Sequence, residues 1–123
     1  MDNKEFSLVL ENRTIRFAIA IVKISATLPN NSEGFVIRNQ ITKSGTSIGA
    51  NYREANRSRS KADFYNKIKI CESETSETVY WLEIIKDLKW IIPEDNDFIF
   101  TEANELLAIF TSIMIKLKNT LKS

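Results

Sequence analysis

The chain has 123 residues, 17 Lys+Arg against 16 Asp+Glu, no histidine and a single cysteine, Cys71. That length gives one domain over residues 1–123. The missing histidine excludes a Ser-His-Asp triad and imidazole metal ligands, and one cysteine excludes an internal disulfide or a cysteine-rich zinc site. With 43% hydrophobic residues but only three glycines and two prolines, long helices are favoured over an all-β fold.

The first predicted helix runs from about Phe6 to Leu28 and stops at Pro29-Asn30-Asn31. Phe17, Ile21, Ile24 and Leu28 form one apolar face, and Ile15, Ala18, Ile19, Val22 and Ala26 form a second. Phe6, Leu8 and Leu10 alternate, so an extended start is the other reading of those residues. Two apolar faces are more than one small bundle core requires. The run Ile15–Leu28 is also the candidate for a membrane span, but it is too short and is interrupted by Arg16 and Lys23. Asp2, Lys4 and Glu5 do not form the basic start of a signal peptide. The expectation is a cytoplasmic protein with no membrane contact.

The second helix is expected from Ser32 to about Arg57, with Ile37, Ile41, Ile48, Tyr52 and Ala55 as its stripe. Its middle, Ser44-Gly45-Thr46-Ser47-Ile48-Gly49-Ala50-Asn51, is unusually small. Each glycine inside a helix costs about 1 kcal/mol relative to alanine, so a close helix crossing is predicted there. The same run lacks the lysine and spacing of a phosphate loop.

Ser58 or Ser60 caps the third helix, and Ser60 with Asp63 fits a capping pattern. Phe64, Ile68, Cys71, Thr75, Thr78, Leu82 and Ile85 make a regular stripe, so this helix should be the longest, ending near Trp90 to Ile92. Cys71 lies on that stripe and reads as a small core residue. Pro93 to Asp97 is a turn with helix-start acids. Ala103, Leu106, Leu107, Phe110, Ile113, Met114, Leu117 and Leu121 form the fourth stripe, ending among Lys116, Lys118 and Lys122. Phe98-Ile99-Phe100 before it is an extended stretch or an entry staple. The predicted fold is all-α, an antiparallel up-down-up-down four-helix bundle.

The net charge of +1 averages two unlike halves: residues 1–61 carry 10 bases and 5 acids, and residues 62–123 carry 7 and 11. Arg53, Arg57, Arg59 and Lys61 crowd the second turn, with Lys43 further back. As a functional feature this is a phosphate-contacting patch for RNA or DNA; as a structural one it is a solvated face paired with acids. Glu72, Glu74, Glu77 and Glu54 invite a carboxylate metal site, but di-iron bundles need histidines that this chain lacks. Ser44, Ser47, Asn51, Glu54 and Glu77 are instead expected to form a polar, hydrogen-bonded cluster that fixes helix register. No catalytic residue, cofactor or metal is expected.

Gln40-Ile41, the run Ser44 to Asn51, Glu54-Ala55, Asp63-Phe64, Lys67 to Ile70, Glu77 and Trp81-Leu82 together resemble the signature of the bacterial four helix bundle proteins, also called 23S rRNA-intervening-sequence proteins. The resemblance covers nearly the whole chain. It departs at Tyr52-Arg53 and at Ala55. It implies a ring-like homopentamer without catalytic residues. It also implies kinship with accessory proteins of diversity-generating retroelements, which bind nucleic acid and a reverse transcriptase. The expectation is a non-enzymatic homo-oligomer binding RNA or DNA through the second turn, the alternative being a protein-interaction scaffold or adaptor.

Overall fold

A computed structural model describes residues 1–122, and for Lys122 its backbone alone. Four helices follow one another: α1 (Asn3–Ser25), α2 (Ser32–Ala55), α3 (Lys61–Asp87) and α4 (Pro93–Lys122). They form the expected all-α, up-down-up-down bundle, each packed on its chain neighbours, with thin contact between α1 and α4.

Local chemistry sets each boundary. Asp2, Asn31 and Ser60 cap α1, α2 and α3 by accepting from the backbone N–H three residues on. Phe6, Leu8 and Leu10 are therefore helical, because the cap at Asp2 starts α1 earlier than the apolar pattern alone suggests. Pro93 occupies the first position of α4, where its missing N–H costs nothing. Phe98-Ile99-Phe100 is helical too, which makes α4 the longest helix at 30 residues, against 27 for α3. The third helix stops at Asp87, short of Trp90. Leu88 is its C-cap and Lys89 takes the left-handed conformation, φ 58°. Trp90 N–H then donates to Ile85 and Lys89 N–H to Lys86, so the carbonyls of the last turn are satisfied.

The core joins all four helices: Leu10, Phe17 and Ile21 from α1, Ile41, Ile48 and Tyr52 from α2, Ile68, Cys71, Leu82 and Ile85 from α3, and Ile99, Ala103, Leu106 and Phe110 from α4. The ring of Tyr52 meets that of Phe110 edge-on across the bundle at 5.7 Å. The small run of α2 packs on α1 as its glycines suggest: a Cβ at Gly45 would lie 2.8 Å from Ile21, and one at Gly49 2.8 Å from Thr14. The thin α1–α4 seam is held by polar contacts. Arg13 donates to both carboxylate oxygens of Glu102, at 2.6 and 2.7 Å, and to Glu105 at 2.6 Å. The bond to Glu102 is the main reason that the Arg13 guanidinium holds its proton more tightly than usual.

The second apolar face of α1 stays open in the single chain. Leu8, Ile15, Ile19 and Val22 are 40–59% exposed and share one stripe. By length and composition α4 is apolar enough to cross a membrane, more so than the Ile15–Leu28 run weighed from the sequence. Its buried residues nevertheless lie along one face, and Glu102 and Glu105 on another face bind Arg13.

Candidate nucleic-acid interface

The turn between α2 and α3 brings cations from both helices to one place. Arg53 projects from the last turn of α2, Arg57 and Arg59 from the turn itself, and Lys67 from the second turn of α3. With Glu54 and Asp63 they line an open groove of about 660 Å³. Two of the four cations are already committed. Arg53 lies 3.5 Å from Glu11 of α1, and Lys67 lies 3.4 Å from Glu54. Glu11 also accepts from the Asn56 side chain at 2.9 Å, so one α1 carboxylate ties down the end of α2. Arg57 and Arg59 are exposed and make no ion pair among the described residues. Their full charge faces solvent, as a phosphate-binding surface requires.

The other candidates lie apart. Lys61 is exposed on the first turn of α3 but does not line the groove. Lys43 is exposed about three turns back along α2, beside Glu74. Lys67 joins the groove although its position in the sequence looks like ordinary solvated surface. Only the antiparallel return of α3 brings it to Glu54. Arg38, earlier on α2, belongs to the opposite end of the bundle. It donates to the Ser25 and Leu28 carbonyls and to Asn30, closing the C-terminus of α1.

The five polar candidates occupy four settings. Ser44 is buried at the α2–α3 crossing, with Thr78 Oγ1 2.9 Å from its hydroxyl. Ser47 donates to the Lys43 carbonyl at 2.6 Å, and Asn51 donates to the Ser47 carbonyl at 2.8 Å. Glu54 faces Lys67, and Glu77 accepts from the Trp81 indole at 3.3 Å. Thr78 and Glu74 are the α3 partners of the serines, rather than Glu77. Burial, and then the charge of Glu77, push the Glu74 carboxyl upward, against the opposing pull of Lys43 and the nearby Ser47 hydroxyl.

Cys71 is buried, its thiol is pushed up to about 12 by desolvation, and its Sγ sits 3.5 Å from the Ile48 carbonyl. A thiol in that setting is a packing group and not a nucleophile. Among the described residues no group of three acidic or sulfur side chains is placed to hold a metal ion.

Comparison with known proteins agrees with this architecture. No curated protein matches the chain. Among solved structures, a protein of unknown function from the S23 ribosomal protein family of Bacteroides thetaiotaomicron is 39% identical. The match covers 85% of this chain and 96% of that one, with a TM-score of 0.78. The family model of the 23S rRNA-intervening sequence proteins matches residues 7–112. With that span and that structural likeness, the chain belongs to the 23S rRNA-intervening sequence protein family.

Proposed function

We propose that this chain is a non-enzymatic, cytoplasmic, homo-oligomeric protein that binds the phosphate backbone of RNA or DNA through the groove at the α2–α3 turn. The observation that carries the reading is the pair Arg57 and Arg59, exposed beside Arg53 and Lys67 and without an ion pair among the described residues. Arginine left without a carboxylate keeps its whole charge and its fork of donors for a phosphate. Contact of this kind reads charge rather than base sequence.

Self-association is the second half of the proposal. The open stripe Leu8, Ile15, Ile19 and Val22 on α1 supports it, and the family resemblance suggests five copies. An oligomer repeats the groove in every copy and multiplies its avidity.

Fluorescence anisotropy with a labelled RNA or DNA across a salt series tests the first half. Binding that weakens with a negative log-log salt slope is expected. No binding at low ionic strength, or a slope near zero, overturns it. Native mass then separates this reading from a protein-interaction scaffold. Charge reversal at Arg53, Arg57 and Arg59 should abolish binding and leave the oligomer intact. A broken oligomer instead assigns those arginines to subunit ion pairs, and a reverse transcriptase or other protein that stays bound after nuclease treatment favours the scaffold.

A further inference from the structure

The groove accounts for one flank of α3, and the other flank carries a second cationic tract. Lys67 faces α2, where it meets Glu54. Glu72 faces α4, where its carboxylate accepts from the Thr111 hydroxyl at 2.7 Å. Counting back from Glu72 by helical steps of three and four gives Lys69, Tyr65 and Lys61, so these share the α4-facing side of α3. Counting forward from Thr111 gives Ile115 and Lys118 on the side of α4 that faces α3. Because the helices are antiparallel, Lys118 and Tyr65 each lie seven residues, or roughly 10 Å, beyond the Glu72–Thr111 contact, at the same level.

Lys61, Lys69, Ile115 and Lys118 are exposed, and Tyr65 is half-buried with the Lys69 ammonium 5.7 Å from its ring centre. Glu72 closes one end of the strip and is held by Thr111, and acids are scarce from there toward the N-terminus of α3. Residues 106–123 contain none, and Asp63 is the single acid from residue 55 to residue 71. Asp63 lines the groove on the other flank. No ion pair involves Lys61, Lys69 or Lys118 among the described residues.

We infer that this α3–α4 strip is a second nucleic-acid contact, so that a bound strand crosses the N-terminal end of α3 from the groove to Lys69 and Lys118. The inference rests on the proposed function of the groove and extends its footprint. Cations flanking an aromatic ring suit a single strand, whose phosphates track the charges while a base lies against the ring. The two tracts lie on opposite sides of one helix, about 10–12 Å in diameter, a width that a flexible strand can cross.

The test is anisotropy of a labelled short oligothymidylate with the full chain over a salt series, in three forms. Wild type is compared with the pair Lys69→Gln and Lys118→Gln, and with the pair Arg57→Gln and Arg59→Gln. Each pair should lower the log-log salt slope by about 1.4 and weaken binding by about tenfold, since each removed contact is worth about 0.7 of slope on a single strand. Equal thermal melting of all three forms shows that the fold is retained. If the arginine pair lowers the slope and the lysine pair does not, the strip is overturned and the groove reading stands. If wild type does not bind, both fall together. If Lys69 and Lys118 are needed for cosedimentation with phosphatidylserine vesicles but not for oligothymidylate binding, the strip is a membrane contact and the inference is wrong.

Discussion

The first and second turns of the bundle both carry arginine, and they use it in opposite ways. At the α1–α2 turn Arg38 is spent inside the fold, with its guanidinium closing the Ser25 and Leu28 carbonyls and stacking over the Phe35 ring at 5.3 Å. That turn is dense: Asn31 caps Gly34 N–H, and the Pro29 carbonyl sits against Gly34 itself. The α2–α3 turn is held by Ser60, which caps α3, and by Asn56, which reaches Glu11. Arg57 and Arg59 contribute nothing to either tie. A cation that satisfies helix carbonyls is structural, and one that satisfies nothing in the chain is available to a ligand.

The largest expected effect falls at the dense turn. A Cβ at Gly34 would lie 1.9 Å from the Pro29 carbonyl oxygen, which is backbone and cannot rotate away. Gly34→Ala should therefore cost about 3 kcal/mol, read as a lower denaturant midpoint. An unchanged midpoint would mean that the turn yields freely, and the contrast between the turns would weaken. Next comes Arg38→Met, which keeps the apolar stem and removes the donors. It strands the partly buried Leu28 carbonyl, while the Ser25 carbonyl keeps the Leu28 N–H, and should cost about 2 kcal/mol. A loss below about 0.5 kcal/mol would place Arg38 with ordinary surface residues.

This contrast also explains how far the sequence could be read. Helix number, the Ser60 cap and the core stripes were legible because they depend on local spacing and on residue type. A close crossing at the small run of α2 was legible because glycine inside a helix has a known cost, and the structure supplies the partner, Ile21 and Thr14 of α1. The use of each charge was not legible. Arg38 and Arg57 look alike in sequence. Their roles diverge because the chain folds back on Arg38 at Leu28 and Asn30 and leaves Arg57 open. For the same reason Thr78 and Glu74, rather than Glu77, meet the serines of α2: partners across a seam depend on helix rotation, which spacing along one helix does not reveal.

The third turn tests a smaller quantity. Lys89 holds φ 58° at the end of α3, where glycine adopts that conformation without strain. Lys89→Gly should stabilise the fold by up to about 1 kcal/mol, because the hydrogen bonds from Trp90 and Lys89 N–H to Ile85 and Lys86 do not depend on the side chain. A higher melting temperature is the expected reading. A lower one would mean that the lysine stem packs usefully against its surroundings and that this turn, like the first, has put its cation to structural use.

The smallest expected effect on stability carries the most meaning. Arg57→Gln with Arg59→Gln removes two exposed cations that make no ion pair among the described residues, so melting should shift by no more than about 0.5 kcal/mol equivalent. The shift could even be upward, since these charges sit beside Arg53 and Lys67 and repel them. Adding salt to the wild type should mimic part of that gain by screening the same repulsion, and the doubly substituted chain should respond less. A clear loss of stability would show that the second turn, like the first, relies on its arginines. Stability held constant while the salt-dependent affinity for nucleic acid falls would separate the two turns by function, because charge at the second turn would then serve a ligand and not the fold.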